Sequence, residues 1–165
     1  MTEIISRLIT ALSEQRDIYI KLYGLSLQKR DAIEGQDLEK LNQIVKDEQP
    51  LLILLNDSER VRIRILGEIT PSLGVPAEKI SLQNIIDVCP PSFIAPLKRI
   101  YVELSNALKS QVNINEVNRK LIESRLEYIN FMMDSTSNDL NNAYNVSGSD
   151  ARVKPRGPRL IDLEV

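Results

Sequence analysis

Few side chains in this sequence are suited to covalent chemistry. The chain of 165 residues contains no histidine, the side chain that most often moves protons near neutral pH and binds metals. Its one cysteine, Cys89, would lack a histidine base to activate it as a nucleophile. Because Cys89 follows an apolar turn, a small core residue is the simpler interpretation. The sequence therefore predicts no enzyme, no metal site and no cofactor.

Polar residues at the spacing of a helix seam are better candidates for function, because they can select a partner. Glu48, Glu59 and Arg62 fall on the apolar stripe of one predicted helix. Four more polar residues interrupt a later stripe: Gln111, Asn115, Asn118 and Arg125. A polar residue on a buried seam lowers stability but fixes register or partner choice. The pattern allows a register device within the chain, in which an antiparallel pairing brings Glu48 near Asn118 and Arg125, or a groove left partly open for another helix.

An apolar surplus lies near the end of the last predicted helix. Between residues 126 and 133 only Glu127 and Asn130 are polar; the others are Leu126, Tyr128, Ile129, Phe131, Met132 and Met133. At about 100° per residue these side chains point almost all round a helix, so one seam does not bury them all. Leftover apolar surface usually marks an interaction site, and methionines suit a surface that accepts varied shapes. The segment predicts a groove for an amphipathic partner helix, unless the bundle or a homodimer covers it.

The overall balance of charge argues against several kinds of partner. The net charge is −2 and 42% of the residues are apolar, which suits neither a basic nucleic-acid footprint nor an acidic disordered chain. No run approaches the roughly 20 apolar residues of a membrane-spanning helix, and the first residues lack a secretory pattern. We expect a protein that binds no nucleic acid, does not insert into membranes and acts in a reducing, cytoplasmic compartment.

Apolar periodicity and helix-breaking residues predict the first two helices. A helix over 3–33 is predicted from apolar residues at steps of three, four and seven: Ile5, Leu8, Leu12, Tyr19 and Leu22. Gly35 ends it, and Asp37 caps the next helix. That helix runs to about 67–71 with a stripe at Leu38, Leu41, Val45, Leu52, Leu55 and Leu66. Because Pro50 removes a backbone donor inside it, we expect a kink there or two helices end to end.

A short helix and a very long helix complete the predicted fold. The short helix covers 80–88 with Ser81 as its cap, and the long helix runs from about Ser92 to Tyr144. Its stripe is predicted at Leu97, Tyr101, Leu104, Leu108, Gln111, Asn115, Asn118, Ile122, Arg125, Ile129 and Met132. The fold class is all-α, an antiparallel bundle of three long helices plus one short helix over 1–144, with coiled-coil-like packing. Residues 145–165 are rich in glycine, serine and proline, and they predict a flexible tail.

The order of these features resembles the FlgN family of flagellar export chaperones over nearly the whole chain. In the second helix the resemblance rests on Glu48, Leu51, Leu52, Leu55, Glu59 and Arg62. In the last helix it rests on Asn115-x-x-Asn118-x-x-Leu121-Ile122, followed by Leu126 and Tyr128. A tyrosine followed by glycine closes the pattern, here Tyr144 and Gly148. Family members often have Tyr-Gly at this point, whereas Asn145 follows the tyrosine here.

The resemblance implies a cytoplasmic, non-catalytic chaperone of flagellar type III secretion. Such proteins bind the C-terminal helical segments of hook–filament junction proteins, prevent their premature assembly and deliver them to the export gate. By position, the residues that bind this cargo would be Asn115, Asn118, Leu121, Ile122, Arg125, Leu126, Tyr128, Ile129, Met132 and Met133. Tyr144 would contact the export gate.

The alternative is a self-associating coiled-coil protein with a structural or adaptor role and no cargo. A homodimer would then cover the apolar surplus at 126–133. A well-folded monomer in dilute solution would count against this alternative.

Overall fold

The chain is described by a computed structural model, which gives the backbone of residues 1–73 and 80–146 and the side chains of 1–71 and 80–136. This part forms four helices and no strand: α1 (Thr2–Glu34), α2 (Leu38–Leu73), α3 (Leu82–Val88) and α4 (Pro91–Val146). The predicted all-α fold of three long helices and one short helix is therefore confirmed. None of the described helices is both long enough and apolar enough to cross a membrane. The predicted flexible tail lies, from residue 147 onward, outside the described residues and stays a prediction.

The chain divides into two compact units, here called unit 1 (residues 1–124) and unit 2 (residues 125–165). The boundary falls within α4. Each unit is described by itself.

A short turn at residues 35–37 joins α1 to α2 in unit 1. Gly35 keeps right-handed helical angles, and Gln36 takes the positive φ, 57°, that ends the helix. The N–H groups of Gln36 and Asp37 donate to the carbonyls of Ile33 and Ala32, at 3.3 and 2.9 Å. This pair of bonds satisfies carbonyls at the end of α1 that have no partner inside the helix. The Asp37 carboxylate accepts from the Lys40 N–H at 2.9 Å, which confirms the predicted cap of α2.

Side-chain contacts fix the directions of the long helices in unit 1. α1 meets α2 through three polar pairs: Arg7 with Glu68, Gln15 with Glu59, and Lys29 with Glu48. The separation along the chain falls from 61 to 44 to 19 residues, so these two helices are antiparallel. Arg16 contacts Glu103 and Ser26 contacts Gln111, with separations of 87 and 85 residues. α4 therefore runs parallel to α1 and antiparallel to α2.

The apolar core of unit 1 combines side chains from all four helices and the turn before α4. Its buried members include Ile5, Leu8 and Leu12 of α1, Ile65 and Ile69 of α2, Ile85 of α3, and Leu97 and Ile100 of α4. Cys89 belongs to this core, so its interpretation as a small core residue is confirmed. Burial raises the pKa of the Cys89 thiol, which keeps it in the poorly nucleophilic protonated form.

α2 departs from the prediction in its continuity and in half of its seam. It passes through Pro50 and Pro71 as one helix and ends at Leu73, so two helices end to end is wrong. The residues facing the bundle step by seven in two series: Ile44, Leu51, Ser58 and Ile65, and Glu48, Leu55, Arg62 and Ile69. The second series was partly predicted, but the first lies one residue before the predicted Val45, Leu52 and Leu66 series. Leu38, Val45 and Leu52 are exposed instead, whereas the predicted Leu66 is buried. The run 51–55 is apolar at all five positions, so the sequence fits both registers.

α4 shows the same one-residue difference within unit 1. Leu97, Leu104, Gln111 and Asn118 lie on the seam as predicted. The residues between them on the seam are Ile100, Ala107, Ile114 and Leu121, each one position before a predicted residue. Tyr101 and Leu108, predicted for the seam, are exposed. The short helix α3 agrees with the prediction, because the Ser81 hydroxyl accepts from the Asn84 N–H at 3.2 Å and caps it.

Candidate functional site

A charged pair of α2 lies on the seam of unit 1 and is satisfied by its neighbours. The Glu59 carboxylate accepts from the Arg62 guanidinium at two of its nitrogens, and from the Gln15 amide at 2.8 Å. The Arg62 bonds hold the pKa of Glu59 below its usual value, although partial burial acts in the opposite direction. The Gln15 bond links α1 to α2 at this point, whereas the Arg62 bonds stay within α2.

An open groove lies beside this charged pair, between α1, α2 and α4. It encloses about 510 Å³ and is lined mainly by Tyr19, Leu52, Leu55, Leu104 and Leu108, with Glu59 and Arg62 at one side. Burial, and then the negative charge of Glu59, raise the pKa of the Tyr19 hydroxyl, so the phenol stays neutral. The groove offers leucine side chains and one ion pair, which suits the packing of an apolar side chain from another helix. The use of this groove by another helix stays a prediction.

The remaining polar seam residues of unit 1 bind α1. Glu48 forms a largely buried ion pair with Lys29. Ser26, which is fully enclosed, accepts a bond from the Gln111 amide at its hydroxyl, at 2.9 Å, and one from the Asn118 amide at its carbonyl, at 2.8 Å. The sequence predicted that Glu48 and Asn118 lie next to one another. In the structure, each bonds a residue of α1 instead: Glu48 bonds Lys29, and Asn118 bonds Ser26. Their side chains hold α2 and α4 on a common partner.

Other predicted cargo residues of unit 1 differ in exposure. Asn115 is exposed and accepts from the Ser26 hydroxyl at 3.2 Å. Leu121 is half-buried on the seam, and Ile122 beside it is 39% exposed. Asn115 and Ile122 are therefore accessible from solvent, while the Asn118 amide is enclosed.

The apolar surplus of residues 126–133 lies in unit 2 and is exposed. Its six apolar side chains are Leu126, Tyr128, Ile129, Phe131, Met132 and Met133, and their exposed fractions range from 47% to 67%. Tyr128, Ile129, Met132, Met133 and Thr136 border a shallow depression of about 410 Å³. Arg125 is half-buried. The segment has the surface predicted for it, and its role as a binding site stays a prediction.

Tyr144 lies in α4, but its side chain is outside the described residues.

In unit 1, Leu52, Ile53 and Leu54 are each more than half exposed, and the sequence analysis did not predict Ile53 and Leu54 to be on the surface. The run of five apolar residues at 51–55 is the signal for this patch, because no single seam buries five consecutive side chains.

The described residues contain no group of three acidic or cysteine side chains placed to hold a metal ion. Unit 1 has an apolar groove beside the Glu59–Arg62 ion pair, and unit 2 has an exposed apolar surface.

Comparison with known proteins gives one match. A family model described as FlgN protein matches residues 1–152 of the chain. No curated protein and no solved structure matches it.

Proposed function

The chain belongs to the FlgN family of flagellar export chaperones, and on that premise we propose a specific cargo and a specific route. Chaperones of this family bind flagellar export substrates. The cargo proposed here is the C-terminal helical segment of a hook–filament junction protein. The chaperone holds it in the cytoplasm, prevents its premature assembly and delivers it to the type III export gate.

The observation that carries this proposal is the exposed apolar surface of residues 126–133 in unit 2. Six large apolar side chains within eight residues are each about half exposed or more. Removal of apolar area from water is the dominant favourable contribution to most protein–protein association. Isolated exposed leucines are ordinary on protein surfaces, but a contiguous patch marks an interaction surface. An amphipathic cargo helix supplies the matching apolar face.

The proposed mechanism consists of binding and release, without covalent chemistry. The apolar face of the cargo helix, which would otherwise associate with other subunits, packs against Tyr128, Ile129, Met132 and Met133. A helix in a groove of this kind binds with a Kd of about 1 µM to 1 nM, which corresponds to roughly 8 to 12 kcal/mol. Release follows when the gate binds the complex and lowers the affinity for cargo. No cofactor or metal takes part in this scheme.

Within unit 1, Asn115 and Ile122 are proposed as further cargo contacts because both are accessible. Asn118 and Leu121 are proposed to act by positioning α4, because both lie on its seam and the Asn118 amide already bonds Ser26.

The experiment that tests the proposal measures cargo affinity for a variant with two charges on the apolar surface. Ile129→Asp with Met133→Asp should abolish binding of a C-terminal junction-protein segment, measured by calorimetry, while helicity is unchanged. Asn130→Asp adds a charge on the polar side of the same helical turn and should bind cargo normally. Unchanged affinity of the double variant would move the cargo site elsewhere in the chain.

Light scattering on the purified chain distinguishes the alternative, a self-associating coiled-coil protein. A monomer or dimer that converts to a defined complex on addition of the cargo segment is the expected result. A tight oligomer that ignores the segment would show that the apolar surface is used by a second copy, and the structural role would then replace the chaperone role.

A further inference from the structure

The apolar side chains of residues 126–133 spread over too wide an arc for one partner helix. At about 100° per residue, the arc runs for about 220° through Phe131, Tyr128, Met132, Ile129, Met133 and Leu126 in that order. A helix that packs on one neighbour normally presents an apolar stripe a little more than about 100° wide. All six side chains are exposed, so the width of the arc is also the width of the surface in unit 2.

Two edges and a centre define this surface. Phe131 and Leu126 stand at the two edges of the arc. The depression bordered by Tyr128, Ile129 and Met132 lies at its centre. The remaining sector, about 140° wide, holds Glu127, Asn130 and Asp134 and is therefore polar and acidic.

We propose that two amphipathic helices of the cargo lie side by side along this segment, one over each half of the arc. This inference rests on the proposed cargo-binding function. One helix covers the half ending at Phe131 and the other covers the half ending at Leu126, and they meet over the central depression. The outer border of each helix then lies next to the sector with Glu127 and Asp134. Residues that flank an apolar seam choose partners by charge, so these outer borders carry lysine or arginine.

A second copy of this chain suits the surface less well than such a basic-edged cargo. The only charged residues between 125 and 136 are Arg125, Glu127 and Asp134, and the last two lie in the polar sector. Two copies packed together through this surface would bring their acidic residues Glu127 and Asp134 close to one another, which is unfavourable. A two-fold pair also uses the same patch on both copies, so each helix would cover half of the other's arc and leave the second half exposed.

Cysteine accessibility measures how much of the arc the cargo covers. In a Cys89→Ala background, single cysteines replace Leu126, Phe131 or, as the control in the polar sector, Asn130. The rate of maleimide labelling is measured with and without a full-length hook–filament junction protein. At a cargo concentration ten times the Kd, labelling at both edges should slow by about tenfold. Labelling at position 130 should stay near its cargo-free rate. If Cys89→Ala unfolds the chain, the same variants are compared with Cys89 retained and adducts located by mass spectrometry, since this thiol is buried.

The outcomes separate this inference from the function on which it rests. Protection at both edges supports two-sided coverage by cargo. A stable complex with protection at only one edge would overturn the two-helix arrangement and leave the cargo function intact. Failure to form any complex would overturn both. Protection at one edge without cargo, growing with chain concentration, would show that a second copy occupies the surface and would overturn the inference.

The charge of the polar sector gives a second, independent measurement. Glu127→Lys with Asp134→Lys should weaken cargo binding, and the loss should shrink as salt is added because added salt screens exposed charges. Binding that strengthens instead would show that the cargo borders are acidic, and the proposed cargo chemistry would be wrong.

Discussion

The side-chain amide of Asn118 donates a hydrogen bond to the backbone carbonyl of Ser26, 2.8 Å away, and so joins α4 to α1. Both residues are buried, and the Gln111 amide bonds the hydroxyl of the same serine. The side-chain oxygen of Asn118 has no hydrogen-bond partner among the described residues. A half-satisfied buried amide lowers stability, while its one bond fixes the register of the two helices.

Asn118→Leu should therefore raise the free energy of unfolding by about 1 kcal/mol, because it removes the buried oxygen that has no partner. Denaturant unfolding measures this change. Asn113→Leu, five residues earlier and exposed, is the matched control and should change stability little. Cargo affinity should stay the same in Asn118→Leu. A loss of affinity at unchanged stability would show that Asn118 recognises cargo directly.

The seams of α2 and α4 show how far apolar spacing determines which residues are buried. The seven-residue repeat correctly predicts Leu97, Leu104 and Gln111 on the seam, because residues seven positions apart lie on the same side of a helix. Between two such positions, the next seam residue lies either three or four residues further along the chain. The sequence does not decide between these two candidates. Ile100 and Tyr101, for example, are both apolar neighbours, and only packing against α1 and α2 selects Ile100.

Pro50 is expected to destabilise the helix that contains it. It lies exposed inside α2, where a proline lacks the N–H needed for the backbone bond of the preceding turn. The helix continues through Pro50 because α1 contacts α2 both before and after this position in the chain. Lys29 bonds Glu48, and Gln15 bonds Glu59. Pro50→Ala should raise the free energy of unfolding by about 1 to 3 kcal/mol.

Pro91→Ala is the matched control for this measurement. Pro91 is the first residue of α4, where the N–H has no acceptor within the helix, so its replacement should be nearly neutral. Equal changes for the two variants would mean that proline affects the unfolded chain rather than the interior of α2.

The ion pair of Glu59 and Arg62 predicts a dependence of stability on acid. The Arg62 bonds hold the pKa of Glu59 below 4.5, its ordinary value. A carboxylate with a lower pKa in the folded state stabilises the fold above its unfolded pKa, and this contribution disappears as the pH falls through the folded pKa. The free energy of unfolding should fall below about pH 4.5, and the fall should be shallower in Glu59→Gln.

Glu14→Gln provides the comparison, since Glu14 is an exposed residue of α1. Its profile should follow that of the unmodified chain. If Glu59→Gln also followed the unmodified chain, the Glu59 carboxylate would have no preferential interaction in the folded state.

The two candidate surfaces differ in how much of them the sequence predicts. The surface at 126–133 follows from angles along one helix, so counting residues from Leu126 to Met133 is enough to expect it. The groove of unit 1 is lined by Tyr19, Leu55 and Leu104, which come from three helices far apart in the chain. Its position depends on the parallel alignment of α1 with α4, and no local pattern contains that information.

Tyr144 is predicted to act in delivery rather than in cargo binding. It lies in α4, eleven residues beyond Met133 of the exposed apolar surface. Tyr144→Ala should leave cargo affinity unchanged in calorimetry and reduce the amount of junction protein exported by cells, because the complex forms but is not received at the gate. Tyr144→Phe shows whether the ring or the hydroxyl is needed, and Asn145→Ala is the neighbouring control, expected to export normally. A loss of cargo affinity in Tyr144→Ala would place this tyrosine in the cargo site, and normal export would remove it from the delivery step.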